Sequence, residues 1–251
     1  MRPRLITIPI SHFCEKARWA LDRAGIAFTE EPHLQAIHIW HARRAGGGRT
    51  VPVLVTADGA LTQSRAILAW ADAHARRGTP LYPGEHAAQA RRIEAWLDAG
   101  LGPDGRLWMY HQTLPTISDL SPWTLAGVPR WERRAFTAGH RVLNPFIRRY
   151  LGVDARAADA ALVQADAVFD EVAALLADGR PFLTGDAFTA ADLTFAALSA
   201  PLLIPENYGS PLPPPALLPA SMQPVIARLR AHPAGSFAAR LYRDERRPSA
   251  I

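Results

Sequence analysis

Residues 10–21, ISHFCEKARWAL, carry the chain's single cysteine, Cys14, three places after Ser11. Phe13, Ala17, Ala20, Leu21 and Ala24 then recur at spacings of three and four, the signature of an amphipathic helix. Gly25 ends it as a C-cap. Two readings follow: a reactive centre at a helix start, or a capped helix with a small buried thiol. The flanks set the context. RLITI (4–8) reads as a strand, and IAFTEE (26–31) alternates like a second. HLQAIHIWHARRAGGGRT (33–50) is an irregular helix or loop ending in three glycines. VPVLV (51–55), a turn at ADG and a returning ALTQ form a hairpin. A helix starts at Ser64 with the stripe Ala66, Ile67, Trp70, Ala71 and His74. The order β-α-β, connection, β-β-α predicts an α/β thioredoxin-like domain over residues 1–78.

Beyond it the pattern changes. GTPLYPG (78–84) is rich in proline and glycine, and residues 79–84 read as a linker. Residues 85–251 are predicted to form an all-α helical bundle, with helices near 86–112, 129–151, 156–178, 190–200 and 221–232. LGPDG (101–105) and PTISDLSPW (115–123) are potential breaks. The proline-rich segment 201–219 is expected to be an extended connection.

Composition narrows the function classes. Hydrophobic residues make up 49% of 251, so a packed core is expected. One cysteine excludes an internal disulfide and a cysteine-rich zinc site. It also suits a reducing, cytoplasmic location, and no metal is expected. No stretch has the signature of a secretory leader or approaches the roughly 18–20 apolar residues of a membrane span. The formal charge of +5 comes almost wholly from arginines scattered beside acidic residues. Nucleic-acid binding would concentrate them on one face, so neither nucleic acid nor membrane is an expected partner.

Two short stretches carry the chemistry. In TVPVL (50–54), Pro52 is the candidate for a cis X–Pro bond, which would turn the backbone of Val51 toward the start of the first helix. In TQSRAIL (62–68), Ser64 is suited to cap the next helix. A helix N-terminus attracts a carboxylate through its free N–H groups and dipole. Gln63 adds an amide that both donates and accepts, and Arg65 a charge.

ISHFCEKARWALDRAG, RTVPVL, LTQSRAILAWAD and RPFLTGDAFTAADLTFAAL together resemble the cytosolic glutathione transferase superfamily, in a bacterial type with an S-x-x-C first-helix motif. The resemblance implies a thioredoxin-like N-terminal domain, an all-helical C-terminal domain, a homodimer and glutathione as co-substrate. By resemblance, Val51 beside cis-Pro52 pairs with the cysteinyl backbone of glutathione, and Gln63 with Ser64 holds its γ-glutamyl end. The family often has a lysine just before the VP pair. Thr50 stands there, and Arg49 is placed to meet the glycyl carboxylate instead. Thr189 and Asp192 form a capping box with a Phe188–Leu193 staple, a structural feature of the helical domain.

Ser11 stands where serine-type classes carry a serine and omega-like classes a cysteine. A hydroxyl there, with the helix N-terminus, favours a glutathione thiolate. Cys14 is either a buried thiol packed beside Phe13 and Ala17 or, if exposed, a nucleophile made acidic by Lys16 and Arg18. His12 is read as an exposed loop residue or a nearby base. Trp96, Leu101, Leu107, Trp108, Tyr110 and His111 are candidates for the wall of a second-substrate pocket. The expected function is conjugation of glutathione to a small apolar electrophile, a detoxification chemistry. A thiol–disulfide oxidoreductase using Cys14 and a non-catalytic binding module are the alternatives.

Overall fold

A computed structural model describes residues 2–150 and 152–246. Met1, residue 151 at the end of the predicted helix 129–151, and residues 247–251 of the predicted bundle lie outside the described residues. The chain opens with β1 (Arg4–Thr7), α1 (His12–Arg23), β2 (Thr29–Pro32), α2 (His38–Arg44), β3 (Val53–Thr56), β4 (Gly59–Leu61) and α3 (Ser64–Ala73). The sheet order is β2-β1-β3-β4. β1 is parallel to β2 and antiparallel to β3, and β3 is antiparallel to β4. This is the predicted α/β arrangement. The register sets Leu5 opposite Leu54, and both are fully buried in the main core with Ala17, Leu21, Ile67 and Leu68. α1 therefore lies between the sheet and the helices behind it, packing on α3 and α9.

α1 ends in a full Schellman turn. The Gly25 N–H donates to Asp22 O and the Ile26 N–H to Leu21 O, while Gly25 takes φ +67°. The stop predicted at Gly25 is thus made by a residue whose missing side chain matters. A Cβ there would lie 2.8 Å from Arg77 Cγ.

The helical region contains α4 (Ala87–Ala99), α5 (Leu101–Thr113), α6 (Ser121–Thr124), α7 (Arg130–Tyr150), α8 (Ala155–Leu175), α9 (Ala190–Leu203), α10 (Met222–Ala231) and α11 (Pro233–Asp244). Three expectations need correction. The helix predicted over 86–112 is two helices, broken at Gly100 (φ −105°, ψ −83°), and LGPDG forms the first turns of α5. α9 runs through Pro201 to Leu203 before the extended segment starts. α11 lies beyond the last helix predicted, 221–232: Pro233 is a first-turn proline, where its missing N–H costs nothing. Residues 79–84, the expected linker, are held by contacts to α3 and α4. Leu81 and Tyr82 are buried, the Leu81 N–H donates to Asp72 Oδ1 at 2.5 Å, and the Tyr82 hydroxyl donates to Glu94 Oε2 at 2.8 Å.

At the head of α9, the Thr189 N–H and hydroxyl donate to Asp192 Oδ2 at 2.8 and 3.0 Å. Asp192 Oδ1 accepts from the Leu183 N–H at 2.7 Å, so one carboxylate closes both the cap and the preceding turn. Every residue of α9 is buried. It is the apolar spine on which α1, α4, α5 and α11 pack. Among the described residues, no helix is long and apolar enough to cross a membrane.

Candidate active site

The turn after β1 brings Ser11 to the N-cap of α1, with backbone angles of φ −71° and ψ 121°. Its Oγ accepts from the Cys14 N–H at a loose 3.4 Å. The cap uses an acceptor lone pair and leaves the hydroxyl proton to donate elsewhere. Capping and donation to a ligand are therefore compatible at this one oxygen.

The turn itself is held from behind. Arg18 Nη2 donates to Pro9 O at 2.9 Å and to Ile8 O at 3.3 Å. The Tyr208 hydroxyl donates to Ile10 O at 3.2 Å. Three consecutive carbonyls before Ser11 are thus pinned by two buried side chains. Arg18 is fixed in turn by Glu30 Oε1, which it reaches through Nε at 2.8 Å and Nη2 at 2.7 Å. Both donors converge on that one oxygen in short, charge-assisted hydrogen bonds.

Ser11 opens onto a cleft of about 280 Å³ between the sheet domain and α5. Arg49, Thr50 and Val51 line one side, before the cis Val51–Pro52 peptide. Arg106, Met109 and Tyr110, at helical spacings of three and four, form the facing wall. Gln35, from the segment leading into α2, and His38 and Ile39, at the start of α2, complete it. Of the predicted glutathione-site residues, Arg49 and Val51 join Ser11 in this lining. Gln63 and Ser64 sit beyond it, at the start of α3. There Gln63, not Ser64, is the N-cap, and it is exposed while Ser64 is buried.

Cys14 and His12 depart from what exposed reactive groups would require. Cys14 is fully buried, and burial raises its thiol pKa against the opposing pull of Arg18 and of the Ser11 contact. The two cations invoked to acidify it are engaged elsewhere. Lys16 pairs with Glu94 at 3.0 Å and Asp98 at 2.7 Å, and Arg18 with Glu30. His12, expected as an exposed loop residue, is a buried residue of α1 with its Nε2 3.0 Å from Gly102 O. Burial, with Arg106 nearby, lowers its pKa to about 3, so the ring is neutral and Nε2–H is the donor. The contact requires α5 to approach α1 closely. A Cβ on Gly102 would fall 2.5 Å from Phe13 Cζ.

His38 shows the same pattern. Its Nε2 lies 3.2 Å from Arg49 O, and burial lowers its pKa. Its ring therefore donates to the backbone beside Val51. The Tyr110 hydroxyl donates to Gln35 Oε1 at 2.9 Å, tying the two walls together at their base.

Of the six aromatic and apolar wall candidates, Tyr110 lines the cleft. Leu101 and Trp108 are core residues, and Trp96 packs against that core. The apolar extension of the cleft comes from other side chains. Ile8, Ile10, Leu34, Ile117 and Phe136 line a chamber of about 70 Å³. Ile10, Met109, Leu120, Ile204 and Met222 line a second of about 40 Å³. Ile10, one residue before Ser11, borders the cleft and both chambers. The 106/109/110 spacing was the signal in the sequence that would have found this wall.

Below the cleft, α7 reaches the sheet domain through Glu132, which is fully buried. Its Oε1 lies 2.8 Å from His33 Nδ1 and 3.5 Å from His41 Nε2, and its Oε2 accepts the Leu34 N–H at 2.7 Å. These donor atoms lie within 4.8 Å of one another. However, the two imidazoles stack at 3.4 Å with 14° between their planes. One ion cannot lie in both ring planes, where the nitrogen lone pairs point. In this arrangement the group is a hydrogen-bonded clasp between α7 and the segment that carries Gln35.

Residues 5–80 match the family model described as the glutathione S-transferase N-terminal domain. No curated protein matches the sequence. Among solved structures, the β-etherase LigF of Sphingobium sp. strain SYK-6 is similar with a TM-score of 0.61 and 15% identity, covering 95% of this chain and 98% of that one. The theta class glutathione S-transferase of Xanthomonas axonopodis pv. citri with glutathione bound has a TM-score of 0.55 and 21% identity, covering 95% and 97%. A glutathione S-transferase of Methylobacterium radiotolerans in complex with glutathione sulfonate has a TM-score of 0.55 and 22% identity, covering 95% of each chain. The fold is the glutathione transferase fold, a thioredoxin-like domain followed by a helical one.

Proposed function

We propose that the protein is a glutathione transferase. It binds glutathione along the Arg49–Val51 edge of the cleft and stabilises its thiolate through the Ser11 hydroxyl and the N-terminus of α1. The observation that carries this reading is the convergence of Ser11, Arg49 and Val51 on one cleft, with apolar chambers adjoining it at Ile10. A thiolate beside Ser11 meets a hydroxyl proton and the positive end of a 12-residue helix. Both favour the anion and lower the thiol pKa. Gln63 and Ser64 extend the glutathione site toward α3, and cis-Pro52 supports Val51. The bound thiolate attacks an electrophilic carbon of a second substrate held against α5. The carbon–sulfur bond forms as the leaving group departs with its electron pair, and the thiol proton passes to solvent. Cytoplasmic location and a homodimer belong to the same proposal. The burial of Cys14 disfavours the oxidoreductase alternative, which needs an accessible thiol.

The test is the ultraviolet absorbance of the thiolate in a glutathione titration across pH, on the wild type and on Ser11→Ala. A bound thiol pKa about one to two units below that of the free thiol, restored in the variant, is expected for a hydrogen bond to the charged form plus a helix N-terminus. Saturable binding with an unchanged pKa in Ser11→Ala would remove Ser11 from the chemistry. No binding at millimolar glutathione would leave a non-catalytic module.

A further inference from the structure

The α5 wall of the cleft holds a cation with nothing to neutralise it. Arg106 is partly buried and lines the cleft. Among the described residues, no hydrogen bond or ion pair engages its guanidinium. Its charge acts on His12 and Tyr110, both in the cleft lining. The lining contains no carboxylate. Its other ionisable groups are Arg49, the neutral His12 and His38, and Tyr110, whose phenol is kept protonated by burial. A partly desolvated arginine without a partner is costly unless a ligand supplies the anion, and its planar fork is matched to a carboxylate or sulfonate.

Glutathione does not account for this residue if it lies where the proposed function puts it. Its glycyl carboxylate then falls to Arg49, on the opposite wall. Arg106 stands on α5, one turn from Met109 and Tyr110, which border the apolar chambers. From this placement we infer that the second substrate is an amphipathic electrophile. It has an apolar or aromatic body that reaches toward Ile10 and Phe136, and a carboxylate or sulfonate that pairs with Arg106. The inference rests on the glutathione-transferase reading and narrows its substrate from any apolar electrophile to an acidic one.

The probes are 4-chloro-3-nitrobenzoate and its neutral isostere 4-chloro-3-nitrobenzamide. In both, the thiolate sulfur bonds to the ring carbon that bears chlorine and chloride leaves with the bonding pair. Calorimetric binding in the presence of saturating glutathione sulfonate, which cannot react, is measured on wild type, Arg106→Gln and Arg106→Lys. The acid should bind at least about tenfold more tightly than the amide in the wild type, as expected of a charge-assisted hydrogen bond. The preference should collapse in Arg106→Gln and be largely kept in Arg106→Lys, with unchanged melting temperatures. Equal binding of acid and amide, or a preference that survives Arg106→Gln, overturns the proposal. So does displacement of the acid by glutathione sulfonate, which would put the anion on the Arg49 side. Chloride release with glutathione is read separately. Its absence for both probes, with the binding preference intact, counts against the transferase reading and not against the anion site.

Discussion

α1 and α9 both run buried through the molecule, and they are buried by opposite means. α9 is sequestered by apolar packing along its whole length, with Phe195 set edge-on to Phe169 and stacked on Phe237. α1 buries His12, Glu15, Lys16, Arg18 and Asp22. It does so because each charge meets an opposite charge from another element. Lys16 meets Glu94 and Asp98 of α4, Arg18 meets Glu30 of β2, and Glu15 and Asp22 meet Arg246 at 2.7 and 2.8 Å. Apolar contact is non-directional and supplies stability. Ion pairs are directional, and their net contribution after desolvation is small. What they supply in α1 is placement: the helix that carries Ser11 at its tip is fixed to α4, to β2 and to the C-terminal segment.

Two substitutions separate these roles, and they have the largest expected effects. Phe195→Ala removes a fully buried ring from the spine and should lower stability by about 3–5 kcal/mol in denaturant titrations. Arg18→Gln leaves Glu30 without its two guanidinium donors and Glu15 with one cation fewer. Glu30 keeps 28% of its side chain exposed and Glu15 keeps Arg246, so the cost should be smaller, about 1–3 kcal/mol for a charge-assisted bond lost at a partly buried partner. The difference is expected at the cleft. Arg18 holds the carbonyls of Ile8 and Pro9, so its loss should also raise the pKa of the bound glutathione thiol, whereas Phe195→Ala should leave that pKa unchanged. Equal thiol pKa values in the two variants would mean that Arg18 is only a structural ion.

His12 gives an intermediate effect with a direction in pH. Its pKa is 6.5 when unfolded and about 3 when folded, so between these values the unfolded chain binds a proton that the folded one refuses. Its contribution is complete above pH 6.5 and is lost as the pH falls toward 3. The slope approaches roughly 1.4 kcal/mol per pH unit. His12→Gln can keep the donor to Gly102 O without the titration. The stability gap between wild type and variant should therefore shift in favour of the variant on going from pH 7 to pH 4.5. Parallel stability–pH profiles for the two proteins would show that His12 is not the group responsible.

The same contrast governs what could be read from the sequence. The thioredoxin-like half was legible because its signals are local: a strand, a helix with period 3.6, a glycine that must adopt positive φ, and a proline at the right place after a glycine loop. The capping residues Thr189 and Asp192 were legible for the same reason. The α5 wall was legible only in part, through Tyr110 and the 106/109/110 spacing. Leu101 and Trp108 look like pocket residues by composition, but the rotation of the helix, set by Gly100 and by the close approach of Gly102 to Phe13, turns them into the core. That rotation presents Arg106 and Met109 beside Tyr110, the candidate that does line the cleft. The burial of Lys16 and Arg18 was also illegible, since their partners lie 78 and 12 residues away in α4 and β2. Nothing near residue 16 in the sequence announces them.

The smallest effect tests whether the pinned turn matters by degrees. Tyr208, from the extended segment after α9, contributes one hydrogen bond to the turn, from its hydroxyl to Ile10 O at 3.2 Å. Tyr208→Phe keeps the buried ring, which stacks near Tyr242, and removes only that bond. The stability cost should be about 1 kcal/mol, the usual worth of one neutral hydrogen bond. Ile8 and Pro9 stay held by Arg18, so Ser11 should move less than in Arg18→Gln, and the bound thiol pKa should rise by a smaller amount. A graded series in thiol pKa, wild type lowest, then Tyr208→Phe, then Arg18→Gln, is expected if the carbonyls of residues 8–10 hold Ser11 at its working position. If Tyr208→Phe loses stability but keeps the wild-type thiol pKa, the contact only fastens the extended segment to the sheet domain, and control of Ser11 rests with Arg18 alone.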